Sequence, residues 1–106
     1  MAFRTPPSVS STLLKLGEDL SRARRRRRLT RASVAERAGI SEATLKRLEK
    51  GDGRVALESF ARALNVLNEL HRLRSIIDVA DDELGIQLMD ERLPKRVRKQ
   101  RSSDAL

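Results

Sequence analysis

The sequence predicts an all-α fold: a five-helix bundle over residues 12–77, with a flexible N-terminal arm at residues 1–11 and an acidic-then-basic tail at residues 78–106. Three observations predict it. From Thr12 to Ile77 apolar residues recur every three or four positions and nothing alternates with period two. Aromatic residues make up 2% of the chain, so the core must come from Leu, Ile, Val and Ala, which suits packed helices. A length of 106 residues allows one small core plus tails.

Leu13, Leu16, Leu20 and Ala23 step by three and four and place a first helix from Thr12 to Arg27, with Ser10 and Ser11 as helix-start caps. Thr30 caps a short second helix through Val34, Ala35 and Ala38. Gly39 stops it, because glycine takes a left-handed C-cap conformation without penalty. Ile40 anchors the turn, Ser41 caps a third helix carrying Leu45 and Leu48, and Gly51 ends that one. A fourth helix spans Leu57 to Leu64, with Phe60 and Leu64 inward, and a fifth Asn68 to Ile77. Residues Asp81 to Asp90 have the spacing of a further short amphipathic helix through Leu84 and Leu88. The outer segments 1–11 and 94–106 are too poor in apolar residues to offset their own ordering entropy.

Charge narrows the function. The chain carries 23 Lys and Arg against 15 Asp and Glu, a formal net charge of +8, so polyanions are the expected partners. Seven of the ten residues from Arg22 to Arg31 are arginine. A second basic cluster holds Arg92, Lys95, Arg96, Arg98, Lys99 and Arg101, and between the two lie Asp78, Asp81, Asp82, Glu83, Asp90 and Glu91. There is no cysteine and one histidine, His71, which leaves no thiolate metal site, no His cluster and no nucleophile–base set. We therefore expect no enzyme and no cofactor. No apolar run approaches a membrane span and the opening residues lack a signal-peptide core, so a cytoplasmic protein is expected.

The segment from Thr30 to Gly51 carries the sharpest signal. Two short helices joined by a tight turn containing glycine make a helix-turn-helix. Ala35 is small where the two helices must cross. At 100° per residue, Leu45, Leu48 and Glu49 share one face of the third helix, and Ala43, Lys46, Arg47 and Lys50 the opposite one. Such a helix fits the DNA major groove, its first turn (Glu42, Ala43, Thr44) at base edges and its cations at phosphates. The alternative is a helix hairpin with a solvated basic face.

The pieces L-G-E-D-L-S-R-A-R at Leu16–Arg24, L-T at Leu29–Thr30, V-A-E-R-A-G-I-S at Val34–Ser41 and T-L-K-R-L-E-K-G at Thr44–Gly51 together resemble the phage-repressor (Cro/cI) type of domain, the lambda-repressor-like five-helix DNA-binding fold. The resemblance implies a two-fold dimer on a palindromic double-stranded operator. Its base-reading positions map onto Glu42, Ala43 and Arg47, with Ser41, Thr44, Lys46 and Lys50 as flanking DNA contacts and Arg54 at a phosphate-contact position. Arg31 stands where the family usually has Gln, which implies a phosphate clamp there. It also implies a structural ion pair between Arg24 and Glu49. In the fifth helix and just before it, Leu67, Leu70, Leu73, Ile76 and Ile77 either form the dimer surface or close the monomer core.

Size, layout and the basic tail L-P-K-R-V-R-K are similar to HipB-like antitoxins, small repressors encoded with a HipA-type kinase toxin. That resemblance implies a protein that represses its own operon and binds a Ser/Thr-kinase toxin through the acidic patch or tail. Two other readings stand beside it: a stand-alone regulator whose tail adds nonspecific DNA affinity, and an adaptor or arginine-rich RNA binder using Arg22 to Arg31.

Overall fold

A computed structural model of the chain describes residues 4–79 and 82–91, the last two by their backbone alone. Among the described residues there are six α-helices and no strand: α1 Pro7–Arg26, α2 Arg31–Ala38, α3 Glu42–Glu49, α4 Leu57–Val66, α5 Leu70–Arg74 and α6 Glu83–Glu91. None is long and apolar enough to cross a membrane.

Helix α1 begins at Pro7, where Thr12 was expected. Proline suits the first helical position, whose N–H would have no partner in any case. The amides of Val9 and Ser10 donate to Pro6 O, and the hydroxyls of Ser11 and Thr12 donate to Ser8 O. Extending an existing helix adds a hydrogen bond per residue without a new nucleus, so this polar stretch needs no burial of its own. Part of the expected arm is therefore helical, and Ser10 and Ser11 lie inside the helix instead of capping it.

The buried face of α1 is also rotated from the predicted one. Gly17, Leu20 and Arg24 face inward, whereas Leu16 is 41% exposed. Gly17 explains the rotation. A β-carbon there would lie 2.6 Å from Leu48 O, 2.7 Å from Glu49 O and 2.7 Å from Gly51 N, so α1 crosses directly against the backbone at the end of α3.

The helix-turn-helix forms as its caps dictate. Thr30 Oγ1 accepts from Ser33 N at 3.0 Å and Ser41 Oγ accepts from Thr44 N at 3.0 Å, each satisfying a free amide of a first turn. Gly39 (φ 73°) and Gly51 (φ 79°) take the left-handed conformation at the ends of α2 and α3. Leu20, Val34, Ala35, Leu45, Leu48, Ala63 and Leu67 make the core, with Ala23, Leu29, Ile40, Val55, Phe60, Leu64 and Val66 packed around it. Helix α4 is pinned to α2 by Arg62, which donates from Nη1 to Ala38 O at 3.1 Å.

In the following segment Leu67 is 1% exposed and belongs to the core, which meets the second of its two alternatives and leaves it nothing to offer a dimer surface. The expected fifth helix, by contrast, is shortened. Helix α5 covers Leu70–Arg74, not Asn68 to Ile77. Asn68 takes φ 63°, and Glu69 N donates to Leu64 O, which closes α4 in a left-handed cap where a continuous helix was expected. Leu70 and Leu73 are half-buried, and Ile76 and Ile77 are exposed.

The chain divides into two compact units between Leu73 and Arg74. In the second, Asp82 opens α6, its carboxylate accepting from Gly85 N at 2.8 Å, and Leu84, Leu88 and Met89 are exposed. Asp81, the basic cluster from Arg92 to Arg101 and the L-P-K-R-V-R-K tail lie outside the described residues.

Candidate nucleic-acid interface

Helix α3 sorts its residues by face. Leu45, Leu48 and Glu49 are buried; Glu42, Ala43, Lys46, Arg47 and Lys50 are exposed. Packing of the leucines against the core fixes which side is left outward, and that side carries three cations. Glu42 lies in the first turn, where a carboxylate is favoured by the helix dipole, so its charge has a structural use as well. Ser41 and Thr44 are partly engaged with each other: Ser41 Oγ donates to Thr44 Oγ1 at 2.8 Å while accepting from the Thr44 amide.

Two carboxylates organise the arginines around this face. Glu49, with its side chain 3% exposed, accepts from Arg24 Nε at 2.6 Å, from Arg24 Nη2 at 3.0 Å and from Arg31 Nε at 2.9 Å. Burial pushes the Glu49 pKa up, but hydrogen bonds from Arg24 and Arg31 more than offset this and leave it below the ordinary carboxylate range. Arg24, bonded by Glu49, is held more firmly protonated than a free guanidinium. Arg31, expected as a phosphate clamp, is thus an ion-pair partner of Glu49 with part of its guanidinium still exposed.

The second carboxylate is Asp52, which sequence reasoning passed over. Its Oδ2 accepts from Arg47 Nε at 2.9 Å, and its Oδ1 accepts from the Arg54 amide at 2.9 Å and from Arg54 Nε at 3.3 Å. The Arg54 amide and then the Arg47 guanidinium lower its pKa to about 2. The signal was legible: an aspartate just past the Gly51 corner, two residues before an arginine, is the pattern of a side chain that bonds its own turn.

The arginine run does not form one surface. Arg24 points inward. Arg27 donates from Nη2 to Glu69 at 3.0 Å and ties α1 to the start of α5. Arg22 pairs with Asp19, and Arg25 Nε donates to Ser21 Oγ. Arg26 and Arg28 are exposed. Arg22 and Arg26 lie about 200° around the helix from Arg24, on the side of α1 turned away from α3.

A helix-turn-helix domain model matches residues 15–74, more than half of the chain. The chain belongs to the helix-turn-helix domain family. Membership makes it a DNA-binding regulator by class, with α2 and α3 as the motif's two helices and the cationic side of α3 as the candidate groove-facing surface. Comparison with curated proteins and with solved structures found no match.

Proposed function

We propose that this helix-turn-helix protein is a sequence-specific transcriptional repressor that works in the cytoplasm as a homodimer, without catalytic activity. One observation carries the reading: α3 is anchored by Leu45, Leu48 and Glu49 and leaves Ala43, Lys46, Arg47 and Lys50 exposed along its other side. A rigid helix with small and basic residues outward suits a major groove, with Arg47 reading guanine and Ala43 a thymine methyl. One such helix reads few base pairs, which favours a two-fold pair on half-sites one DNA turn apart, about 34–36 Å.

Within this reading the protein is the antitoxin of a toxin–antitoxin pair that represses its own operon and binds a HipA-like Ser/Thr kinase toxin. Support comes from the resemblance in size and layout and from the unit beyond Leu73, whose α6 exposes Leu84, Leu88 and Met89 beside acidic residues. The RNA-binding alternative loses support because Arg24 is buried against Glu49 and Arg27 is paired with Glu69.

The test is selection of bound duplexes from a random pool. A two-fold symmetric consensus, with discrimination relaxed by Arg47→Ala, supports the repressor; RNA binding that ignores Arg47→Ala refutes it. Co-expression with a kinase encoded beside this gene tests the antitoxin role: a stable complex supports it, and a lone DNA-binding dimer favours the stand-alone regulator.

A further inference from the structure

Arg47 and Asp52 are joined twice. The Asp52 amide donates to Arg47 O at 3.0 Å as part of the left-handed cap that ends α3 at Gly51, and the Asp52 carboxylate takes Arg47 Nε at 2.9 Å. The cap leaves little freedom, because a β-carbon at Gly51 would lie 2.7 Å from Leu14 Cα; the corner is wedged against α1. Asp52 is therefore fixed by the backbone, and Arg47 is fixed by Asp52.

The bond falls on the inner edge of the guanidinium. Arginine has five N–H donors, and Asp52 uses the one on Nε. The two Nη groups of Arg47 have no hydrogen-bond partner among the described residues, and they sit on an exposed side chain of the outward face. Arg54 is held in the same manner, its Nε on Asp52 Oδ1. A flexible side chain that is already ordered loses less entropy when it binds, and a planar fork gains most from that, since its paired bonds require one orientation.

We propose that Asp52 is a positioning residue for DNA readout, holding Arg47 by Nε so that its Nη pair meets a guanine edge, and holding Arg54 beside it. The inference rests on the DNA-reading function proposed above. Its carboxylate lies between the Arg47 and Arg54 guanidinium groups, whose two positive charges offset its own toward the duplex.

The experiment uses the full chain and the duplex selected by the wild type, alongside the same duplex changed at the base pair that Arg47→Ala ceases to distinguish. Fluorescence anisotropy gives affinity for both, and thermal melting gives stability. Asp52→Ala is expected to weaken binding to the selected duplex by about three- to tenfold, the cost of reordering freed side chains, and to lower discrimination at that base pair. In an Arg47→Ala background, Asp52→Ala is expected to leave discrimination unchanged. Asp52→Asn, which keeps an acceptor for the Arg54 amide, guards against misfolding and is expected to show the same loss of discrimination. Wild-type discrimination in folded Asp52→Asn overturns the inference, as does a uniform gain in affinity for both duplexes, which marks Asp52 as a repulsive charge only. If the wild type selects no sequence, the DNA-reading function itself falls, and this inference with it.

Discussion

Arg24 and Glu49 meet in a two-point salt bridge between the end of α1 and the end of α3, and the remaining terminal nitrogen of Arg24 donates to Leu29 O at 2.9 Å. One guanidinium thus joins α1, α3 and the link into α2. Arg31 completes the set by binding the same carboxylate from the first turn of α2. Helix α3 is thus held to its neighbours by this buried cluster as well as by its leucines.

Removing one partner from this cluster is expected to be severe. Arg24→Ala or Glu49→Ala strands a buried charge and should cost about 3–5 kcal/mol, whereas replacing both with apolar residues of similar volume should cost far less. Urea unfolding of the two single variants and the double variant measures this. Losses that simply add in the double variant would show that the pair is not the source.

Acid should loosen the fold through the same groups. The folded pKa of Glu49 lies below its ordinary 4.5 and that of Asp52 is about 2 against an ordinary 3.8, so in acid the unfolded chain binds more protons than the folded one. The stability they contribute is complete above the ordinary values and drains as pH falls through the folded ones. Urea midpoints should therefore drop between pH 4.5 and about 2, and Glu49→Gln and Asp52→Asn should each flatten that slope.

Gly17→Ala is expected to destabilise, although alanine in an exposed helix normally stabilises by about 1 kcal/mol. The added methyl meets backbone atoms at 2.6–2.7 Å, which cannot swing aside. Overpacking of this kind costs about 1–3 kcal/mol and decides the sign. Thermal melting checks it.

Arg28 takes φ 57°, and its amide and that of Leu29 close α1 on the carbonyls of Arg25 and Arg24. A side chain in that conformation costs about 1–2 kcal/mol, of which glycine's extra chain entropy returns part. Arg28→Gly should therefore stabilise by about 0.5–1 kcal/mol in urea unfolding. A loss of stability would mean that the arginine makes a compensating contact.

On DNA, Lys50→Ala and Arg54→Ala should each reduce the slope of log affinity against log salt by about 1, while Arg47→Ala should cost about 1–3 kcal/mol and relax one base position. Salt titrations on selected and mutated duplexes separate the two behaviours. Identical slopes for all variants would remove these cations from the interface.

Local chemistry was enough to read the helix-turn-helix from the sequence. Thr30, Gly39, Ser41 and Gly51 set their helix ends by bonds and backbone conformations within a few residues, and the spacing of Leu45 and Leu48 alone fixes which side of α3 faces out. What depended on chain segments meeting in space was not legible. Gly17 is ordinary until the end of α3 is laid across it, Leu67 is one more leucine until α4 places it in the core, and Arg31 is a free cation until Glu49 arrives from 18 residues away. Pattern fixes the periodicity and ends of single helices because those energies are local. Which apolar residues are covered, and which carboxylate holds which arginine, is decided by long-range packing.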